Sequence, residues 1–151
     1  MASHSRQVAW ILAALLIAVL AAIAVVLFLR LHRPFDSDTL AIQVAELQSQ
    51  SAEAALLAQN VSGDRLAPGF AHEHLRQLAD NVGRVEDALQ SKAAQPGLES
   101  PRQSAQGLGA TLQVTLIGWL RDTELAPTLI PRLDAVTQQL DALHKQLKPG
   151  D

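Results

Sequence analysis

The residues with the clearest potential for chemistry are two histidines that flank a glutamate, in the segment HEH at residues 72–74. Imidazole and carboxylate groups are common zinc ligands, and a zinc-binding helix places its histidines three or four positions apart, on one side. His72 and His74 are two positions apart, so on a helix their side chains point about 200° away from each other. The spacing therefore predicts no shared metal ion. It indicates a solvated face for His72 and a rim contact for His74.

Other candidate sites are weaker still. The segment GLGATL at residues 107–112 lacks the third glycine of a dinucleotide-binding fingerprint. The acidic pairs Glu46/Glu53 and Glu86/Asp87 have no apolar surroundings in sequence that would raise a carboxyl pKa, and solvated faces are the expectation. The chain contains no cysteine, and no serine lies in a recognisable triad setting. We expect a non-enzymatic protein without a metal site or cofactor.

The charge distribution excludes one class of partner. The chain has 151 residues and a formal net charge of −3. From residue 36 onward there are nine Lys and Arg residues against all fifteen Asp and Glu residues. A nucleic-acid-binding surface needs a basic face, so the composition predicts no nucleic-acid partner.

The strongest signal is an apolar run from Val8 to Leu29, 22 residues without a charge. As a helix this run would be about 33 Å long, enough to cross a hydrocarbon core of about 30 Å. The flanks also suit a membrane helix, because aromatic residues favour the interfaces and basic residues bracket spans. The predicted interfacial aromatic residues are Trp10, Phe28 and Phe35, and the predicted basic flanks are Arg6, Arg30 and Arg33.

The alternative to an uncleaved anchor is a cleaved signal peptide, whose apolar region is shorter and ends in small residues. This run ends in the bulky segment LFLRLH, which favours the anchor. Charges on the two sides are nearly balanced, so they do not decide the orientation. By analogy with signal anchors, we expect a single-pass protein of the inner or plasma membrane whose following domain is exported.

Two heptad-like stripes follow the membrane segment, and each predicts an amphipathic helix. Asp36, Ser37 and Asp38 favour the start of the first helix, and Gly63 suits its end. The second lies between Pro68 and the Pro96-Gly97 pair. The first stripe is Leu40, Val44, Leu47, Ser51, Ala54, Ala58 and Val61, and the second is Ala71, Leu75, Leu78, Val82, Val85 and Leu89.

Two further stripes predict a third and a fourth helix. In the third, Ser100 suits the cap, Pro101 the first helical position and Gln103 a capping box. Residues 111–120 are rich in β-branched residues and glycine, so a strand there stays an alternative. In the fourth, Thr128 as the cap would put Pro131 in the first turn. The stripes are Ala105, Leu108, Leu112, Thr115 and Trp119, widened by Leu116 and Leu120, and then Leu129, Leu133, Val136, Leu140, Leu143 and Leu147.

The predicted fold class is all-α, with one N-terminal transmembrane helix followed by an antiparallel four-helix bundle. Short connections make successive helices antiparallel, and an even number of helices returns the end of the chain towards the membrane. The predicted boundaries are a tail at residues 1–7, a transmembrane helix at residues 8–30 and the bundle at residues 36–148.

The first bundle helix has an unusual stripe, because Ser51, Ala54 and Ala58 make the middle of its seam small. One interpretation is close approach of a neighbouring helix, or a gap that admits a ligand or a partner side chain. The other is ordinary packing, in which Leu56 and Leu57 turn inward and fill the space. We treat Ser51, Ala54 and Ala58 as the candidate ligand or partner seam.

The segments AELQSQSAEAALLAQNVSGD and HLRQLADNVGRVEDALQS resemble the PilJ-type N-terminal sensor domain of type IV pilus methyl-accepting receptors. Ser49-Gln50 and Gly63-Asp64 match motifs of that family, while Ser51 stands at its arginine position and Val85 where an aromatic is usual. The resemblance covers about fifty residues. It implies a membrane-proximal helical sensor bundle that lacks the second span and the signalling hairpin of those receptors.

The sequence thus leads to two functional hypotheses. The first is a membrane-anchored binding module, an accessory or scaffold subunit of a cell-envelope complex, with the lipid bilayer and another membrane or envelope protein as partners. The second is a stand-alone sensor that binds a small ligand near Ser51, Ala54 and Ala58. A third possibility is self-assembly, in which open heptad seams pair between copies of the chain as in a coiled coil.

Overall fold

The computed structural model describes residues 17–25, 35–91 and 93–148. The chain divides into two units, Met1–Arg33 and Pro34–Asp151. In the first unit, residues 17–25 are helical and form α1. Their large apolar side chains are exposed, among them Ile17, Leu20 and Ile23.

The predicted membrane segment extends beyond what the structure describes. Of residues 8–30 only 17–25 are described, and the tail at residues 1–7 and the flanking residues Trp10, Arg30 and Arg33 lie outside the described residues. Within the described ranges, no helix combines the length and the apolar character that crossing a membrane requires.

The second unit begins with α2, Ser37–Ser62. As predicted, Asp36 caps its start, and the Asp36 carboxylate accepts a hydrogen bond from the Thr39 backbone N–H at 2.8 Å. Gly63 is the C-cap, followed by Asp64 in a left-handed conformation with φ 53°. The backbone N–H groups of Asp64 and Arg65 donate to the carbonyls of Val61 and Asn60. This pattern is a Schellman motif.

Helix α3 spans Pro68–Ser91 and α4 spans Glu99–Arg121. Residues 111–120 are helical throughout, so the strand alternative is wrong. The predicted Ser100 cap is also wrong, because α4 starts at Glu99 and its N-cap residue, Leu98, makes no side-chain capping bond. The Glu99 carboxylate instead accepts from the Gly97 N–H at 2.8 Å, and Gly97 takes the positive φ of 90° that closes the turn.

The last two helical elements are a 3₁₀ turn, Thr123–Leu125, and α5, Ala126–Leu147. Asp122 caps the 3₁₀ turn by accepting from the Glu124 N–H at 3.1 Å. The 3₁₀ turn and α5 therefore begin before the predicted start of the fourth helix. The prediction that Thr128 is the N-cap is wrong. The Thr128 hydroxyl donates to the Leu125 carbonyl at 2.7 Å. Pro131 consequently lies inside α5 rather than in its first turn.

Helices α2–α5 pack as an antiparallel bundle. The contact between α2 and α5 is the most extensive, and α3 packs mainly against α4. Ser37 donates to the Leu147 carbonyl at 2.9 Å near one end of the α2–α5 pair, and Ser51 donates to the Leu133 carbonyl at 3.0 Å further along it. The start of α2 and the end of α5 therefore lie together, and we call this the Phe35 end of the bundle. The other end holds the α2–α3 and α4–α5 connections, and we call it the Asp64 end.

The core confirms the four stripes. Every large apolar stripe residue from Leu40 to Leu147 is buried except Val61, Leu108 and Leu120, which are partly buried against the core. Trp119 is the largest buried side chain in this core, at 2% exposure.

The prediction that Phe35 is an aromatic residue at the membrane interface is wrong, because Phe35 is 2% exposed in the core of the bundle. Its backbone bonds to the α3–α4 connection, from Phe35 N–H to Ala93 O at 2.8 Å and from Gln95 N–H to Phe35 O at 2.9 Å.

Replacing Pro131 with alanine should stabilise the protein. Proline at this interior position removes the hydrogen bond to the carbonyl four residues earlier, and alanine would restore it. The side chain is exposed, so no core packing is lost. We expect Pro131→Ala to raise the free energy of unfolding by about 1 to 3 kcal/mol, measured by urea denaturation of the full-length protein.

Pro101→Ala is the matched control. Pro101 lies in the first turn of α4, where the backbone N–H has no intrahelical partner to lose. Its substitution should change the free energy of unfolding by less than about 0.5 kcal/mol. Equal effects of the two substitutions would contradict the continuous path of α5 through Pro131.

Candidate functional site

The predicted seam residues lie deep in the bundle. Ser51, Ala54 and Ala58 are all 0% exposed. The Ser51 hydroxyl donates to the Leu133 carbonyl at 3.0 Å and accepts from the Thr137 hydroxyl at 3.0 Å. Both partners belong to α5, so this part of the seam faces α5. A buried hydroxyl with both roles satisfied adds little cost to the core.

The packing around the seam favours close helix approach. Small residues let two helix backbones come near each other. Leu57 is 4% exposed and contributes to the core, whereas Leu56 is 59% exposed. One leucine of the predicted pair thus turns inward and the other does not. Neither of the two concave regions described below is lined by Ser51, Ala54 or Ala58.

A buried polar contact joins α2 to α3 at Gln50, one of the residues that carry the family resemblance. Gln50 is 7% exposed. Its amide donates to the Glu46 carboxylate at 2.9 Å and accepts from the Asn81 amide at 3.3 Å. The bond from Asn81 to Gln50 links the two helices at this point, while the bond to Glu46 lies within α2.

The HEH segment lies on α3. His74 contacts the Glu53 carboxylate of α2 at 2.8 Å and stacks on Phe70, with ring centroids 5.7 Å apart. His72 points elsewhere and lines a cavity described below. Among the described residues, no three side chains of ligand type are grouped so that they could hold a metal ion.

Glu86 differs from the prediction of a fully solvated acidic pair. Burial, followed by the neighbouring charge of Asp87, raises the pKa of the Glu86 carboxyl above its ordinary value. The cause of the burial is visible in α4, where a β-carbon added to Gly109 would lie 3.2 Å from the Glu86 side chain. The absent side chain of Gly109 thus gives Glu86 space against α4. Sequence reasoning missed this contact because it joins two helices.

A cavity of about 200 Å³ lies at the Asp64 end. It was not predicted, because its walls come from α2, the α2–α3 connection, α3, α4 and the 3₁₀ turn. The apolar part of its lining is formed mainly by Val61, Leu66, Leu75 and Trp119. The polar part is formed by Asp64, His72, Thr123 and Glu124. This cavity can accept a small ligand with both apolar and polar groups.

A more open groove of about 470 Å³ lies between α4 and α5. Leu108 and Leu143 are its large apolar residues. The rest of its lining is small or uncharged and consists of Ser104, Gly107, Gln139, Ala142 and Gln146. The groove has no charged lining residue, so a partner helix could enter it without desolvating an ion.

Enlarging a seam residue should disturb the bundle. Ala54 is fully buried, so a leucine there has to displace neighbouring core atoms. We expect Ala54→Leu to lower the free energy of unfolding by about 1 to 3 kcal/mol, measured by urea denaturation.

Ala52→Leu makes the same chemical change on the exposed face of α2. It should alter the free energy of unfolding by less than about 0.5 kcal/mol. If Ala54→Leu were tolerated as well as Ala52→Leu, a gap would be present at the seam and the ligand interpretation of Ser51, Ala54 and Ala58 would gain support.

Comparison with protein families, with curated proteins and with solved structures found no match for this chain. The resemblance to PilJ-type sensor domains therefore stays a prediction.

Proposed function

We propose that this protein is a single-pass, membrane-anchored binding module, an accessory or scaffold subunit of a cell-envelope membrane complex. The observation that carries the proposal is the uncharged groove between α4 and α5. A groove of this kind suits an amphipathic or transmembrane-proximal helix of a partner, which inserts apolar anchors at helical spacing.

The distribution of charge on the bundle supports this docking face. Helix α4 has no charged residue from Gln103 to Leu120, although Val114 on its surface is 66% exposed. Helix α3 is the opposite case, with Arg76 paired to Glu73 and Asp80 on an exposed face. The cores of protein interfaces are depleted in charge, so α4 and not α3 is the better docking face.

The membrane part of the proposal rests on residues 8–30, with Trp10, Arg30 and Arg33 as flanks. The exposed apolar side chains of residues 17–25 are consistent with a helix that needs an apolar environment. The proposed partners are the lipid bilayer and another membrane or envelope protein. We propose neither nucleic-acid binding nor enzymatic activity.

A second candidate function is a sensor that binds a small ligand. The cavity at the Asp64 end favours it, because apolar and polar groups converge there. This candidate differs from the seam hypothesis in its location, since Ser51, Ala54 and Ala58 do not line the cavity.

Filling the groove should remove the partner without harming the fold. A β-carbon added at Gly107 meets no atom within 4 Å, so Gly107→Leu projects its side chain into the open groove. We expect affinity isolation of the tagged full-length protein from its native membrane, in mild detergent, to recover a partner near one-to-one with the wild type. Recovery with Gly107→Leu should fall about tenfold or more.

Gly118→Leu is the matched control, because Gly118 also has open space around its Cα and does not line the groove. It should retain the partner. Equal recovery with both variants would place the docking face elsewhere. Recovery of the wild-type protein alone would contradict the accessory-subunit function and favour a sensor or a self-assembling module.

The proposed topology has its own test. A reporter that functions only after export should be active when it is fused after Leu40. A reporter that functions only in the cytoplasm should be inactive at the same position. The reason is that residues 8–30 would act as a signal anchor whose following domain is translocated. The reverse pattern would contradict the exported bundle but not the anchor.

A further inference from the structure

The cavity at the Asp64 end is separate from the proposed docking groove, since no residue lines both. Its volume of about 200 Å³ exceeds that of an engineered cavity of about 150 Å³ that binds benzene. It falls below the range of about 300–1,000 Å³ typical of sites for drug-sized ligands. The size therefore suits one small ring or a short alkyl chain with one polar group.

The inner wall of the cavity is apolar and aromatic. Trp119 is 2% exposed and Leu75 is 2% exposed, so both side chains are fixed by the surrounding core. An indole wall attracts an apolar ring by dispersion and also favours a nearby cation through its π electrons. This wall alone sets no strong preference for the charge of a ligand.

The polar side of the cavity is acidic. Two carboxylates, Asp64 and Glu124, line it, and no lysine or arginine does. Within the part of the chain that the structure describes, neither carboxylate belongs to an ion pair. The adjacent Arg65 packs over Gly63, where an added β-carbon would lie 3.4 Å from its Nε. Among the charged side chains of the lining, the two carboxylates favour a positive over a negative group on a ligand.

The position of Asp64 adds a second observation about the charge on this side of the cavity. The residue has a left-handed backbone with φ 53°, which aspartate and asparagine adopt more readily than most other residues. It also follows the C-terminus of α2, the negative pole of the helix dipole, where a cation is preferred. The Asp64 carboxylate thus adds to the negative pole of α2 on this side of the cavity.

We propose that this cavity binds a small organic cation, an amine that carries a single apolar ring or short alkyl group. The ammonium lies between Asp64 and Glu124, and the apolar group lies against Trp119 and Leu75. The inference rests on the sensor candidate and is independent of partner docking at the α4–α5 groove.

The test uses the full-length protein in detergent with the substitution Trp10→Phe, so that Trp119 is the only tryptophan and its fluorescence reports on the cavity. The probes are 2-phenylethylamine, the neutral 2-phenylethanol and the anionic 3-phenylpropionate, which are similar in size. The amine should bind about tenfold more tightly than the alcohol, and the carboxylate should bind more weakly than either.

Asp64→Asn removes the charge and keeps a residue that tolerates the left-handed backbone. It should weaken amine binding about five- to tenfold and leave the alcohol unchanged. Asp87→Asn, on the exposed face of α3 and outside the cavity, is the matched control and should change neither. Ala71→Leu places bulk in the cavity lining and should abolish saturable binding of all three probes.

Two kinds of result would overturn the inference, one concerning selectivity for the cation and one concerning the location of the site. Equal affinity for the three probes, or an amine affinity that Asp64→Asn leaves unchanged, would show that the acidic side does not select a cation. Absence of a saturable Trp119 response, or a response that persists in Ala71→Leu, would show that the cavity is not the site. Amine binding by Gly107→Leu separates the two proposals, since that variant lacks only the docking groove.

Discussion

The close antiparallel contact between α2 and α5 is the constraint on which the rest of the bundle depends. Two serines of α2, Ser37 and Ser51, donate to main-chain carbonyls of α5, and the fully buried Ala54 and Ala58 leave room for close approach. The buried Ser51 hydroxyl fixes the register of the two helices, because a shift would leave it without its partners on α5. With the first and last bundle helices locked, α3 and α4 are left to cover the remaining faces as a second pair.

Much of this fold is predictable from the sequence, because each helix repeats its apolar residues at the spacing that one buried face requires. Each of the four stripes, through Leu40, Leu78, Leu112 and Leu140, could be predicted from its own segment of sequence without reference to the neighbouring helices. The helix ends were less predictable. Several residues near a helix start can serve as the cap. Asp122 caps the 3₁₀ turn that precedes α5, so α5 begins before Thr128. The position of Phe35 near the end of the apolar run predicts a membrane-interface residue, whereas its contact with the α3–α4 connection depends on long-range folding and has no local signal.

The candidate sites are likewise predictable only in part from the sequence. The groove uses the outer faces of α4 and α5, and its uncharged character is readable in the composition of α4, although the opening between the helices is not. The cavity combines side chains from five segments that are far apart in sequence, so no local pattern could reveal it. The contact between Gly109 and Glu86 has no local sequence signal either, because the absent side chain of one helix makes space for a carboxyl group of another. Periodicity predicts which face is buried, and only the packed bundle determines where space remains.

The backbone bonds of Phe35 have a mechanical consequence. Its N–H and C=O groups bind Ala93 and Gln95, and its ring is buried in the core. A force that enters the bundle along the chain from residue 34 is therefore divided between the start of α2 and the α3–α4 connection. A force of this kind has to break the two hydrogen bonds to the connection, and expose the Phe35 ring, before it can separate α2 from the bundle. Phe35 thus joins two parts of the bundle that are distant in sequence before α2 begins.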